Sequence, residues 1–136
     1  MRVPLFLFLF LLSFSSFAGT TICDFAGQSH FGPKSISWNT VTKHALIQYG
    51  GTTYHGEVGF YHKYEGPLGG FRVNLIFDIK LIDKKYRSEF LVFANTTVEN
   101  PIIGRAIGVS YIKVDGERHL NSSFGNSEVH CQRLHK

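Results

Sequence analysis

Residues 71–81, FRVNLIFDIKL, alternate between apolar and polar side chains. Every odd position from Phe71 to Leu81 is apolar, whereas the even positions are polar except for Ile76. Because successive side chains of a strand point to opposite faces of its sheet, this pattern predicts a long β-strand with one apolar face. That face fills the core of a soluble barrel, or meets lipid in an outer-membrane barrel.

The rest of the chain repeats this pattern in shorter runs. No segment has the sustained apolar spacing of an amphipathic helix. Turn residues separate the runs, above all Gly50-Gly51 and Asp115-Gly116, which favour two-residue hairpins because they adopt positive φ at little cost. We therefore predict an all-β fold, a small antiparallel meander of about eight strands.

Each predicted turn also fixes which residues face each other. The expected pairs are Ile47 with Tyr54 and His44 with Glu57 around Gly50-Gly51, Ile79 with Phe90 and Lys80 with Glu89 around a reversal at Lys84-Lys85, and Tyr111 with Leu120 and Ile107 with Phe124 around Asp115-Gly116. Simple alternation also places Val58 and Phe60 on the same apolar face. Four glycines inside strands predict bulges or bends: Gly56, Gly59, Gly104 and Gly108.

The start of the chain has the features of a cleavable signal peptide. Arg2 supplies a positive charge, Leu5 to Leu12 is uninterruptedly apolar, and Ser16 and Ala18 are small residues before a cleavage site. The apolar run is shorter than the roughly 20 residues that a membrane-spanning helix needs. We predict that residues 1–18 are a signal peptide, that residues 19–136 form a single β-barrel domain, and that the mature protein is secreted or periplasmic.

The two cysteines, Cys23 and Cys131, lie near opposite ends of the predicted mature chain. In an oxidising compartment such a pair is expected to form a disulfide bond. The first and last strands of a closed meander are neighbours, so this bond would join them at the seam. The cysteine positions and the strand glycines together favour a closed β-barrel over a two-sheet sandwich.

The charged and titratable residues suggest no particular chemistry. Without Arg2, thirteen Lys and Arg face ten Asp and Glu, a formal charge of +3 that is scattered along the chain. Nucleic-acid binding needs a clustered basic face, so it is not expected. His44, His55 and Glu57 share a strand face but offer no fourth metal ligand. We find no catalytic motif and expect no metal and no cofactor.

Two sets of residues are candidate binding sites. The first could line a ligand site in the barrel mouth and consists of polar-tipped aromatic residues: Trp38, Tyr49, Tyr54, His62 and Tyr111. The second, called the outer patch below, is apolar on an otherwise polar face and could bind a protein: Ile76, Leu91 and Phe93. Asn95 and Asn121 begin glycosylation sequons, which matter only in a host that modifies them.

The sequence thus predicts an exported, non-enzymatic binding module. Its ligand would be a small apolar or amphipathic molecule in the barrel mouth, or a protein on the outer patch. A small secreted enzyme of unknown reaction and an outer-membrane β-barrel remain alternatives. The mature chain is not expected to insert into a membrane.

Overall fold

The computed structural model describes residues 19–27, 32–81 and 84–134. These residues form eight β-strands and no helix. The strands are β1 (Thr20–Phe25), β2 (Pro33–Asn39), β3 (His44–Tyr49), β4 (Thr52–Lys63), β5 (Gly69–Leu81), β6 (Lys84–Thr96), β7 (Ile102–Val114) and β8 (Glu117–Leu134). The predicted signal peptide, residues 1–18, lies outside the described residues. In the described part of the chain, no helix is long and apolar enough to cross a membrane.

The strands form a closed antiparallel barrel in the order of the sequence. Each strand pairs with the next one, and β1 pairs with β8 to close the sheet. Cys23 and Cys131 face each other across this β1–β8 seam and form a disulfide bond. The predicted barrel and the predicted disulfide are both confirmed, and the two-sheet sandwich is excluded.

The interior of the barrel is apolar. The odd-numbered residues of β5 from Phe71 to Ile79 are buried, with exposed fractions between 0% and 6%. On the other side of this strand, Arg72, Asp78 and Lys80 are exposed. The alternation of the sequence therefore gives the apolar face to the core and the polar face to the outside. An outer-membrane barrel has the opposite arrangement, because its lipid-facing surface is apolar.

Both predicted two-residue hairpins are present. Around Gly50-Gly51, Ile47 faces Tyr54 and His44 faces Glu57, as the turn residues predicted. In the second hairpin Asp115 and Gly116 both have positive φ, 52° and 81°. These values match the turn that Asp-Gly favours.

The predicted register of β5 and β6 is wrong. Ile79 faces Tyr86 instead of Phe90, and Lys80 faces Lys85 instead of Glu89. The chain reverses two residues before the expected turn, and Lys84-Lys85, a pair that suits a tight turn poorly, are instead the first residues of β6. Residues 82 and 83 connect the two strands and lie outside the described residues. Because the displacement is four residues, an even number, every side chain keeps its predicted face.

A bulge in β4 corrects a second expectation. The register shifts between Val58 and Phe60, so Phe60 lies outside, 46% exposed, and Tyr61 takes the inward position. The Tyr61 ring stacks on Phe71 with centroids 6.4 Å apart. The extra residue is Gly59, where an added Cβ would collide with the side-chain oxygen of Asn74. A larger residue at this position would have to displace the end of the Asn74 side chain.

A bulge in the β7–β8 ladder corrects a third expectation. Phe124 faces Gly108 instead of Ile107. Ile107 instead lies outside and is 40% exposed. The predicted pair of Tyr111 with Leu120 is present. Of the four glycines expected to mark bulges, Gly59 and Gly108 adjoin register shifts, whereas Gly56 and Gly104 lie in regular pairing. The shift that changes the partner of Phe124 lies instead between Ser110 and Tyr111.

Candidate functional site

The structure brings together only two of the five aromatic residues predicted to line the barrel mouth. Tyr49 and Tyr54 are diagonal neighbours across the β3–β4 hairpin, with ring centroids 6.2 Å apart in an edge-on arrangement. Both are partly buried against the core. Burial, followed by the proximity of Tyr54, raises the pKa of Tyr49 from 10.0 to about 12. Tyr49 is therefore a neutral hydrogen-bonding group throughout the physiological pH range.

Trp38 and His62 lie elsewhere. Trp38 is 2% exposed and packs against Phe71, with ring centroids 5.6 Å apart. It faces Ala45, which lies four residues from Tyr49 and so roughly 13 Å away along β3. The β4 bulge turns His62 to the outside, where its ring lies 5.1 Å from that of Tyr64. Trp38 therefore belongs to the core, and His62 belongs to the outer surface.

Tyr111 lies in a cleft on the outer surface of β5 to β8. Asp78 on β5 pairs with Arg87 on β6, and Arg87 pairs with Tyr111 on β7, so these three residues form one row across the strands. The guanidinium carbon of Arg118 lies 5.4 Å above the Tyr111 ring. The cleft has a volume of about 390 Å³, which is within the usual range of small-molecule sites.

The next row of the cleft lining, two residues nearer the hairpin turns on the same strands, consists of positively charged side chains. Lys80 faces Lys85 across β5 and β6, and Lys113 faces Arg118 across β7 and β8. The pair Tyr86 and Ile112 sets β6 beside β7, which puts the two cationic pairs next to each other. We call these four residues the cation row: Lys80, Lys85, Lys113 and Arg118. Among the described residues, none of the four has a carboxylate within salt-bridge distance.

Arg87 adds a fifth cation, and among the described residues that line the cleft Asp78 is the one carboxylate. The Arg87 Nε atom is buried and makes no hydrogen bond to any described residue; its nearest carboxylate oxygen, on Glu89, is 3.5 Å away. The contact is too poorly aligned to be a hydrogen bond, so the buried Nε–H group has no hydrogen-bond partner among the described residues. A positive cleft with free donors is suited to an anionic ligand.

The cleft lies on an extension of the sheet. β1 ends against Val129, and residues 117–127 of β8 pair only with β7 in the described part of the chain. Strands β7 and β8 thus continue past the seam as a ribbon, and the cation row crosses that ribbon and the neighbouring β5–β6 hairpin. The barrel core is therefore complete without these side chains.

The outer patch lies on the same sheet, farther from the hairpin turns. Ile76, Leu91 and Phe93 are half-buried. Leu91 faces the exposed Ile107 on β7, while Arg72 covers the ring of Phe60 at 5.6 Å. The patch is therefore continuous with further apolar surface on both sides.

The first hairpin carries two close histidines. The Nε2 atom of His44 and the Nδ1 atom of His55 are 3.0 Å apart, at hydrogen-bond distance. Within the described residues, no group of three His, Cys, Asp or Glu side chains converges on a possible metal position. The pair is thus a surface hydrogen bond between two rings.

Comparison of the chain with protein-family models, with curated proteins and with solved structures finds no match. Inferences about function therefore rest on the chemistry of the surface.

Sequence reasoning missed the cation row because of the register. In the predicted β5–β6 pairing, Lys80 faces Glu89 and its charge is neutralised; in the observed pairing it faces Lys85. The available signal was the alternation itself, which puts Lys80, Lys85 and Arg87 on the polar face of one hairpin.

Proposed function

We propose that this chain is an exported, non-enzymatic binding module that holds a small ligand in the cleft on the outer surface of β5 to β8. The proposal extends the predicted mouth site, because Tyr111 is common to both. The other predicted lining residues contribute to the core or to other surfaces. The observation that carries it is the cleft itself, with an aromatic ring and free cationic donors around a volume of about 390 Å³.

Two features support export. The first eighteen residues have the composition of a signal peptide. The Cys23–Cys131 bond is consistent with an oxidising compartment, extracellular or periplasmic. The lining of the cleft supports binding, since ammonium, guanidinium and phenol groups hold and orient ligands.

A protein partner on the outer patch is the second candidate function. Its support is the continuity of the patch with the exposed Ile107 and Phe60. Replacing all three patch residues with Thr should cost about 1–2 kcal/mol, because the side chains are only half-buried and Thr suits a strand. Association, measured by recovery on a column carrying the protein, should disappear. A loss of several kcal/mol in a urea melt would instead assign the patch to the core.

A thermal-shift screen tests the cleft proposal. A ligand present at a hundred times its Kd stabilises the native state by about 2.7 kcal/mol, or roughly 10 °C for a domain of this size. Tyr111→Ala should remove the shift, while Tyr64→Ala, a control in the exposed loop after β4, should retain it. A ligand that shifts both variants equally would place the binding site elsewhere. A ligand that is chemically consumed would favour the enzyme alternative.

A further inference from the structure

We infer that the cleft takes an anion carrying two or more phosphate or sulfate groups, an inference that rests on the proposed function of the same cleft. The observation is the cation row. Lys80 faces Lys85 and Lys113 faces Arg118, so two like-charge pairs lie directly across neighbouring strands. Like charges in that position destabilise a sheet. The described residues supply no carboxylate within 4.0 Å of them.

The fold does not require this concentration of charge. The row lies on the outer surface of the sheet extension, where any polar residue would serve the β-strands equally well. Solubility is provided by charges scattered singly over a surface with both signs mixed. A destabilising row on adjacent strands is instead what an anion site needs before its ligand binds.

The dimensions of the row indicate the size of the anion. Neighbouring strands are about 4.8 Å apart, so the row from β5 to β8 extends roughly 14 Å. A single phosphate can contact only one neighbouring pair of these cations. An anion with several charged groups can contact the whole row, and the guanidinium of Arg87, two residues from Lys85 on the same face of β6, adds a further positive charge beside it. The length of the row therefore favours a multivalent anion.

Single-stranded nucleic acid fits this surface less well. Its binding sites stack successive bases on exposed aromatic rings. Two aromatic residues line the cleft: Tyr86 shares the inner face of the sheet with the buried Ile79, and Tyr111 is already covered by Arg118. A phosphate source at a membrane surface is compatible with the surroundings, since Leu120, which is 63% exposed, lies two residues from Arg118 on the same face of β8. A free polyphosphate and a lipid headgroup share the same chemistry, and the experiment separates them.

Calorimetry with tripolyphosphate tests the inference at low ionic strength and again at about 0.15 M salt. The row variant combines Lys85→Gln with Lys113→Gln. The control variant combines Lys34→Gln with Lys63→Gln, which are exposed on other strands and give the same net charge. We expect the row variant to weaken binding by at least about tenfold, since charge-assisted bonds are lost, and the control variant to change it less than about twofold. Equal weakening in both would overturn the inference.

A melt of both variants without ligand supplies an independent readout. Removing like-charge repulsion should leave the melting temperature of the row variant equal to or above that of the wild type. A clear decrease would show that the row stabilises the fold and would overturn the inference.

Vesicles provide the second arm. Binding to phosphatidylglycerol vesicles but not to pure phosphatidylcholine, lost in the row variant, would identify a lipid headgroup as the source. Binding of tripolyphosphate alone would identify a soluble source. If neither probe binds while an uncharged compound from the thermal-shift screen does, the anion inference fails and the proposed function stands. If nothing binds the cleft, both fail.

Discussion

The disulfide at the barrel seam gives the largest predicted effect on stability. Replacing Cys23 and Cys131 together with Ala opens a covalent loop between residues 108 positions apart. The chain-entropy model gives about 4.7 kcal/mol for a loop of this size. That figure is the upper end of the entropic term, since disulfide bonds often deliver less than the model value, and the loss of two fully buried sulfur atoms adds a packing term to it. We therefore expect the double variant to lose about 4–5 kcal/mol, which is a large part of the stability of a small domain.

Urea unfolding at equilibrium measures this loss through the midpoint and slope. At roughly 4 °C per kcal/mol, the melting temperature should decrease by about 15–20 °C. Wild-type protein unfolded in the presence of a reductant is the matched control, since it should resemble the double variant. The reasoning fails if oxidised protein and the double variant differ by less than about 1 kcal/mol. The hydrogen bonds of the β1–β8 ladder would then close the barrel without the bond.

Three further perturbations test the core, a strand glycine and a buried phenol. Phe77→Asp should prevent folding because it puts an unpaired carboxylate in a fully buried position, and the loss of the β-sheet circular dichroism signal would show it. The control Asp78→Ala, on the outer face, should cost less than about 0.5 kcal/mol of stability. Gly108→Ala should cost about 1–3 kcal/mol of stability in a urea melt, because the new Cβ would lie 2.6 Å from a ring carbon of Phe90. The control Gly125→Ala, with open space around it, should leave stability unchanged. The raised pKa of Tyr49, about 12, means that its phenol ionises more readily in the unfolded chain than in the native state. Wild-type stability should therefore decrease as pH rises from 10 to 12, by about 1–2 kcal/mol after allowance for partial exposure. Tyr49→Phe should flatten this decrease, and an unchanged slope would contradict the assignment.

The barrel could be predicted because its evidence is local or lies at the ends of the chain. The alternation of residues 71–81 needs no knowledge of neighbours. Gly50-Gly51 and Asp115-Gly116 specify their turns by backbone preference alone. The cysteines then indicate closure, because only a closed meander makes the first and last strands adjacent.

The β5–β6 pairing could not be predicted in the same way. A displacement of four residues leaves the apolar face of both strands unchanged, so hydrophobic pattern cannot choose between the two registers. The choice depends on neighbours in space. Phe90 faces Leu75 on β5 and Gly108 on β7. Its ring occupies the space that a larger side chain at position 108 would need. The same is true of the β4 bulge, where Gly59 makes room for Asn74.

This difference explains why the core was predictable and the candidate site was not. Core membership depends on which face a residue occupies, and an even displacement preserves the face. Surface chemistry depends on which residues are neighbours across strands, and an even displacement changes every one of them. Lys80 is neutralised in one register and belongs to a row of four cations in the other. The sheet can tolerate that row because the apolar core and the Cys23–Cys131 bond stabilise the barrel independently of it. A function located on the outer surface of β5 to β8 is therefore specified by register, and it becomes visible only when the strands are paired correctly.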